Sequence, residues 1–263
     1  MHEIRFPPFR PHPLFPGGHA QTLAGAFLPG RRYRYQAKRH QVTLDDGDIL
    51  VLHDDAPTSW QSGGPTVLLI HGLAGSHQSG YMVRIAARLN AVGYRTFRMD
   101  LRTCGAGCGL AKRPYHAGRS DDARAALEFM ADACPGSSAA IVGFSLGGNI
   151  VLKLLGENPG IVPAHLTRAA AVNPSADLSA CVNALVGPVR SIYDRHFATL
   201  LNRQLRAARL TPETLAITLP YQPRRIIEFD DIYTAQVWGF GTAAHYYERS
   251  SSAPHVAKIQ VPT

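Results

Sequence analysis

The 263-residue chain is 45% hydrophobic and 17% charged, the balance of a globular domain and not of a disordered or fibrous chain. No apolar run approaches the roughly 20 residues that span a bilayer, and no stretch of signal-peptide type opens the sequence, so the cytoplasm is the expected location. The net charge of +8 is carried almost entirely by arginine, with Lys38, Lys112, Lys153 and Lys258 the only lysines.

Arginines cluster within 31–34, within 203–209 and at Arg224–Arg225. None of these clusters sits in a recognisable nucleic-acid module, so nucleic acid is not an expected partner. A compositional preference for arginine explains the excess, and peripheral contact with an anionic lipid surface is the partner reading that the charge leaves open. Cys104, Cys108, Cys134 and Cys181 lack paired metal-ligand spacing and read as reduced packing thiols, so no metal is expected.

Residues 1–41 are rich in Pro, Gly and Arg, lack a clear period and are expected to lie on the surface. Val42–Leu44 and Ile49–His53, joined by Asp45-Asp46-Gly47-Asp48, predict a β-hairpin. Thr66–Ile70 is a continuous apolar run of buried-strand type, followed by a helical pattern through Ile85, Ala86, Leu89 and Val92 that Gly93 stops. Strands are predicted at Tyr94–Asp100, Ala139–Phe144 and Arg168–Asn173, with helices at Asp121–Met130 and Leu146–Leu155 between them. This alternation predicts an α/β fold, a mostly parallel sheet with helices on both faces.

Beyond Pro174 the pattern changes, and residues 175–250 mix helical pieces such as Ala198–Arg209 with aromatic loops. The expected organisation is an N-terminal segment and α/β core over 1–174, an inserted cap over 175–250, and a returning core strand opening within 251–263.

The chemistry is concentrated in Gly143-Phe144-Ser145-Leu146-Gly147-Gly148, between a predicted strand and a predicted helix. A serine on such a turn has its hydroxyl raised above the sheet, and the helix N-terminus beneath it favours developing negative charge. Ser145 is therefore the expected nucleophile. A tetrahedral intermediate needs two N–H donors. The expected pair is Leu146, directly after the serine, and Leu73 in His71-Gly72-Leu73-Ala74-Gly75. His71 reads as a brace for that loop.

These motifs resemble the α/β-hydrolase superfamily, and within it the AB hydrolase 4 or YheT-like carboxylesterase branch. The resemblance extends to Gly18-His19-Ala20-Gln21-Thr22-Leu23, to Met99 through Gly105, and to Tyr115-His116-Ala117-Gly118. It continues through Asn149, Glu228-Phe229-Asp230-Asp231, Gly239-Phe240 and Tyr246-Tyr247. It implies hydrolysis, and in some members transfer, of short- to medium-chain acyl groups from esters, lipids included, without a cofactor. The loop Gly105-Ala106-Gly107-Cys108-Gly109 has the wrong spacing for a dinucleotide fingerprint, and Asp100 and Arg102 are read as positioning it.

In this fold the triad runs serine, acid, histidine along the chain. Residues 258–263 are where the acid-bearing strand is expected to open, so the fold is expected to be truncated before its last strands, without the usual acid and base. Asp177 is the substitute acid considered, with Asp230, Asp231, His245 and His255 as further candidates. Some of Phe229, Tyr233, Trp238, Phe240, Tyr246 and Tyr247, with Trp238 and Phe240 foremost, are the candidates for an acyl pocket; the alternative is that these rings only hold the insertion together. A non-catalytic α/β-hydrolase-like protein and an acyltransferase using the same serine stay open beside the esterase, and the sequence leaves the oligomeric state open.

Overall fold

The computed structural model describes residues 8–27, 36–187, 190–208 and 219–263. The chain divides into two compact units, Met1–Arg34 and Tyr35–Thr263. The first contains helix α1 (Gly18–Phe27), where no helix is predicted. The stretch between Pro16 and Pro29 is free of proline, which is enough for a short helix to form.

In the second unit, β1 (Lys38–Thr43) and β2 (Ile49–Asp55) form the predicted hairpin. Its turn closes on Gly47, whose φ of 80° suits a residue without a Cβ. The sheet continues through β3 (Thr66–Ile70), β4 (Arg95–Asp100), β5 (Ala139–Phe144) and β6 (Leu166–Val172). Its order is β1-β2-β4-β3-β5-β6. The first two pairings are antiparallel, and the β4-β3-β5-β6 pairings are parallel.

Helices α2 (Gly80–Ala91), α3 (Ser120–Ala133) and α4 (Leu146–Glu157) cover the two faces. Side chains alternate along a strand, and β3 divides accordingly. Val67 and Leu69 pack with Met82 and Ala86 of α2. Leu68 and Ile70 face the larger core with Leu127 of α3 and Ile150 and Leu154 of α4. Burying each such side chain stabilises the fold by about 1.5–3 kcal/mol, which is why the central strands read as unbroken apolar runs.

After β6 the described residues form α5 (Leu178–Ala184), α6 (Ser191–Ala207) and α7 (Ile226–Phe229). A π-helical turn (Asp230–Thr234) then leads into α8 (Ala235–Val237) and α9 (Ala243–Ser250). Asn149, fully buried in α4, fastens the returning chain. Its Nδ2 donates to the carbonyls of Ala117 and Ser250, both at 2.9 Å, and its Oδ1 accepts the Ser252 N–H at 2.9 Å.

The strand predicted at 258–263 does not form. A 3-10 turn spans Ala253–Lys258, and the next residues add one rung to the sheet, the Ala169 N–H donating to the Pro262 carbonyl at 2.9 Å.

Candidate active site

Ser145 stands at the junction of β5 and α4 with φ 51° and ψ −117°. Its N–H donates to the Val172 carbonyl at the end of β6 (2.9 Å), which ties the turn to the neighbouring strand. The residue is exposed, whereas the five after it are buried. The glycines around it are required sterically. A Cβ on Gly147 would lie 2.5 Å from the His71 carbonyl oxygen and 2.6 Å from that of Ile70; one on Gly143 would collide with the Gly147 backbone. A Cβ on Gly148 would press on Pro174 at 3.1 Å, and one on Gly72 would lie 3.1 Å from the Ser145 Cβ. The turn therefore closes only with glycine at 143 and 147, and leaves little room at 72 and 148.

The loop after β3 is held open by its neighbours. The Gly72 N–H donates to the Tyr81 hydroxyl (2.9 Å), the Ala74 N–H to the Tyr115 hydroxyl (2.8 Å) and the Gly75 N–H to the Gly72 carbonyl (3.0 Å). Among the described residues nothing accepts the Leu73 N–H, and Leu146, in the first turn of α4, has no intrahelical acceptor for its own. Leu73 and Leu146 line one pocket, together with His116, Leu201, Phe229 and Tyr233. His71 is fully buried and braces the loop. The Leu101 N–H donates to Nε2 (3.2 Å), so Nδ1 carries the proton and donates to the Gly72 carbonyl at 2.8 Å. Burial lowers its pKa, keeping the ring neutral.

Asp177 caps α5, its carboxylate accepting the Ala180 N–H at 2.9 Å. Among the described residues no side chain is hydrogen-bonded to the Ser145 hydroxyl. Trp238 and Phe240 do not line the pocket beside Leu73 and Leu146. They pack on His116 instead, at centroid distances of 4.6 and 5.4 Å. Trp238 also donates to the Pro114 carbonyl (3.1 Å), with the Arg113 guanidinium 4.5 Å above its ring. His116 accepts the Gly118 N–H at Nδ1 (3.1 Å). Burial, then the nearby Arg119 and Arg102, hold its pKa well below the usual value.

Asp230, by contrast, does reach the pocket. It accepts hydrogen bonds from the hydroxyls of Thr234 and Tyr247, both at 2.8 Å. Burial outweighs these bonds and raises its pKa to about 7.

Beneath the loops lies a His-Asp-His cluster. His53 Nε2 (2.9 Å) and His77 Nδ1 (2.8 Å) both donate to Oδ2 of Asp100, which also accepts the Ala106 N–H at 2.8 Å. Oδ1 accepts the His77 N–H at 2.7 Å. Burial alone would raise the Asp100 pKa, but the hydrogen bonds from His53 and His77 pull it well below the carboxylate range. The ligand atoms of these three residues lie within 4.8 Å of one another, a spacing that admits a metal ion. The ring planes do not. The two imidazoles stack at 3.4 Å and 12°, and in-plane lone pairs of parallel rings cannot both aim at one ion ~2.0–2.1 Å from each nitrogen. The cluster ties β2, β4 and two loops together.

Residues 65–206 match the alpha/beta hydrolase fold family, which is 54% of the chain and includes Ser145 and both candidate N–H donors. The chain belongs to this family. It is 30% identical to YheT of Escherichia coli (strain K12), over 97% of this chain and 75% of YheT. It is 25% identical to Phospholipase ABHD3 of Homo sapiens, over 93% of this chain and 61% of that one. Medium-chain fatty acid ethyl ester synthase/esterase 2 of Saccharomyces cerevisiae is 27% identical, over 76% of this chain and 49% of that one. The chain thus spans three quarters of the first relative and about three fifths or less of the other two. Among solved structures, the Pyrococcus furiosus esterase Pf2001 superposes with a TM-score of 0.48 at 19% identity, over 67% of this chain and 68% of that one.

The membership accounts for the glycines and the strained serine. It does not by itself indicate the pairing of His53 and His77 on Asp100, which joins residues 23 and 47 positions apart that no local motif marks. Asp230 lies in a motif of the resemblance, but its bond to Tyr247, 17 positions on, is seen only in the fold. Asp100 was legible in part, since it does hold the glycine-rich loop, through Ala106.

Proposed function

We propose that this protein hydrolyses carboxylic esters of short- to medium-chain acyl groups through an acyl-enzyme on Ser145, as a member of the YheT-like branch. The observation that carries the reading is the exposed Ser145, held at φ 51° at the head of α4 beside a pocket shared by Leu73 and Leu146. In the reaction, Oγ attacks the ester carbonyl and loses its proton to a base. The carbonyl oxygen becomes an oxyanion that accepts the N–H groups of Leu73 and Leu146. Collapse expels the alcohol, which takes the proton, and water then cleaves the acyl-serine by the same steps. The mostly apolar lining beside Leu73 and Leu146 supports an acyl chain as the group that meets it, although at about 40 Å³ the cavity is smaller than such a chain.

The order serine, acid, histidine along this fold places the base after Ser145, and this reading assigns that role to no described residue. Residues 175–250 act as the cap over the pocket. The names phospholipase and ester synthase/esterase carried by two relatives support an ester, a lipid ester included. The second name also favours a further reading, in which an alcohol replaces water as acyl acceptor on the same serine.

The test is p-nitrophenyl octanoate turnover by the parent and by Ser145→Ala. Loss of all but a background on the order of 10³–10⁴ over water is expected. Turnover in Ser145→Ala equal to the parent's would overturn the reading. Adding ethanol as a competing acceptor and measuring ethyl octanoate separates transfer from hydrolysis.

A further inference from the structure

Helix α6 has two working faces. Toward the interior, Leu201, Gln204 and Leu205 line the pocket next to Leu73 and Leu146. Toward solvent, Ile192, Arg195, His196, Thr199, Arg203 and Arg206 recur every three or four residues and are exposed, so they form one continuous stripe. The only acidic residue of the helix, Asp194, is buried on the other side and engaged by Arg225 (3.1 Å) and the Ile226 N–H (2.7 Å). Among the described residues no carboxylate pairs with Arg195, Arg203 or Arg206, which leaves their charge uncompensated.

A second strip of chain extends this surface. Arg195, Thr199, Tyr221 and Arg224 line one open groove. Its single acidic member, Glu228, accepts the backbone N–H of Arg224 at 2.9 Å. The face is not only basic, for Ile192 is 65% exposed and Tyr221 51% exposed. Uncompensated arginines beside an exposed aliphatic and an exposed aromatic side chain match the chemistry of an anionic bilayer surface, with phosphates for the guanidiniums and an acyl boundary for the apolar groups. A soluble polyanion would account for the arginines and leave Ile192 without a role.

We propose that the outer face of α6, with Tyr221 and Arg224, docks this protein on an anionic lipid surface. The same helix then has one face on the lipid and the other on the pocket, so docking brings an ester held in the membrane to the site. This purpose rests on the lipid-ester part of the proposed function, while the docking is measured by binding alone.

The experiment is sedimentation of the whole chain with phosphatidylcholine vesicles and with vesicles of equal parts phosphatidylcholine and phosphatidylglycerol. Binding to the anionic vesicles only, weakening as salt shortens the Debye length from about 10 Å toward 3 Å, is the expected result. With each arginine near such a surface worth about fivefold in affinity, Arg195→Glu/Arg203→Glu should weaken binding by at least about tenfold. Ile192→Ser should weaken it less and keep the salt dependence. All three positions are exposed, and an unchanged melting temperature verifies that the fold is intact.

Equal binding to both vesicle types overturns the charge argument, and undiminished binding of the double variant overturns the location. Heparin binding as tight as vesicle binding, untouched by Ile192→Ser, would assign the face to a soluble polyanion instead. None of these outcomes bears on Ser145, so a failure here leaves the esterase reading standing.

Discussion

Gly147 lies so close under His71 that a methyl group in place of its hydrogen would sit 2.5 Å from the His71 carbonyl oxygen. The first turn of α4 and the loop after β3 therefore meet backbone to backbone. Because His71 is also bonded to Leu101 and to Gly72, that loop has no room to retreat. Gly147→Ala is expected to destabilise the protein by about 3 kcal/mol or more, at the upper end of overpacking effects. Gly160→Ala, whose Cβ would meet only the Asn158 side chain at 3.5 Å, should shift stability by no more than about 0.5 kcal/mol. Urea midpoints of the two variants provide the comparison, and equal midpoints would show that the loop yields.

The serine is itself strained, since φ 51° with ψ −117° is a conformation that residues with a Cβ avoid. Ser145→Gly should raise stability by about 1 kcal/mol, whereas Ser145→Ala, which keeps the Cβ, should leave it nearly unchanged. Thermal unfolding of the three proteins settles the point. A glycine variant no more stable than the alanine variant would mean that the turn relaxes without the side chain.

The turn that holds the serine was legible in the sequence because Gly143, Gly147 and Gly148 are clustered around it between a strand and a helix pattern. The buried strands were legible because both faces of β3 are covered. Helix α1 was hidden by the proline-rich composition around it. Which of the insertion's rings face the pocket was not legible, for a different reason. Trp238 and Phe240 are large rings in the right segment, but a π-helical turn at Asp230–Thr234 directs Phe229 and Tyr233 to the pocket and leaves Trp238 and Phe240 on His116. Hydropathy along the chain does not encode which way such a turn rotates its neighbours.

Arg102, fully buried, carries a different kind of constraint. It bridges the hairpin turn, through Asp46 (2.7 Å) and Asp48 (2.6 Å), to α3 through Asp122 (2.7 Å). Burial disfavours its charge, but the bond and field of Asp122, joined by Asp46, more than restore it and raise its pKa. Arg102→Met removes the cation and leaves the buried Asp122 with Arg119 alone and the buried Asp48 with backbone N–H donors alone, so a loss of about 3 kcal/mol is expected. Replacing Arg102 and Asp122 together should cost less than the sum of the single changes. A strictly additive double-mutant cycle would show that the two do not act as a pair.

Asp230 makes the pH dependence specific. Its pKa is about 7 in the folded chain against an ordinary 3.8, raised by burial and only partly offset by Thr234 and Tyr247. Between these two values the folded protein holds a proton that the unfolded chain has released. The stability this proton brings is fully present below the lower value and is lost as pH rises through about 7. The gap between the folded and unfolded values corresponds to on the order of 4 kcal/mol between the ends of the window. Asp230→Asn cannot ionise and retains a similar shape, so it should lack this component. Denaturation of parent and variant at pH 5 and pH 8 should show the parent losing stability relative to the variant by a few kcal/mol on the way up. Parallel curves for the two proteins would mean that Asp230 is already ionised at pH 5 and that the wall beside Leu73 and Leu146 is charged.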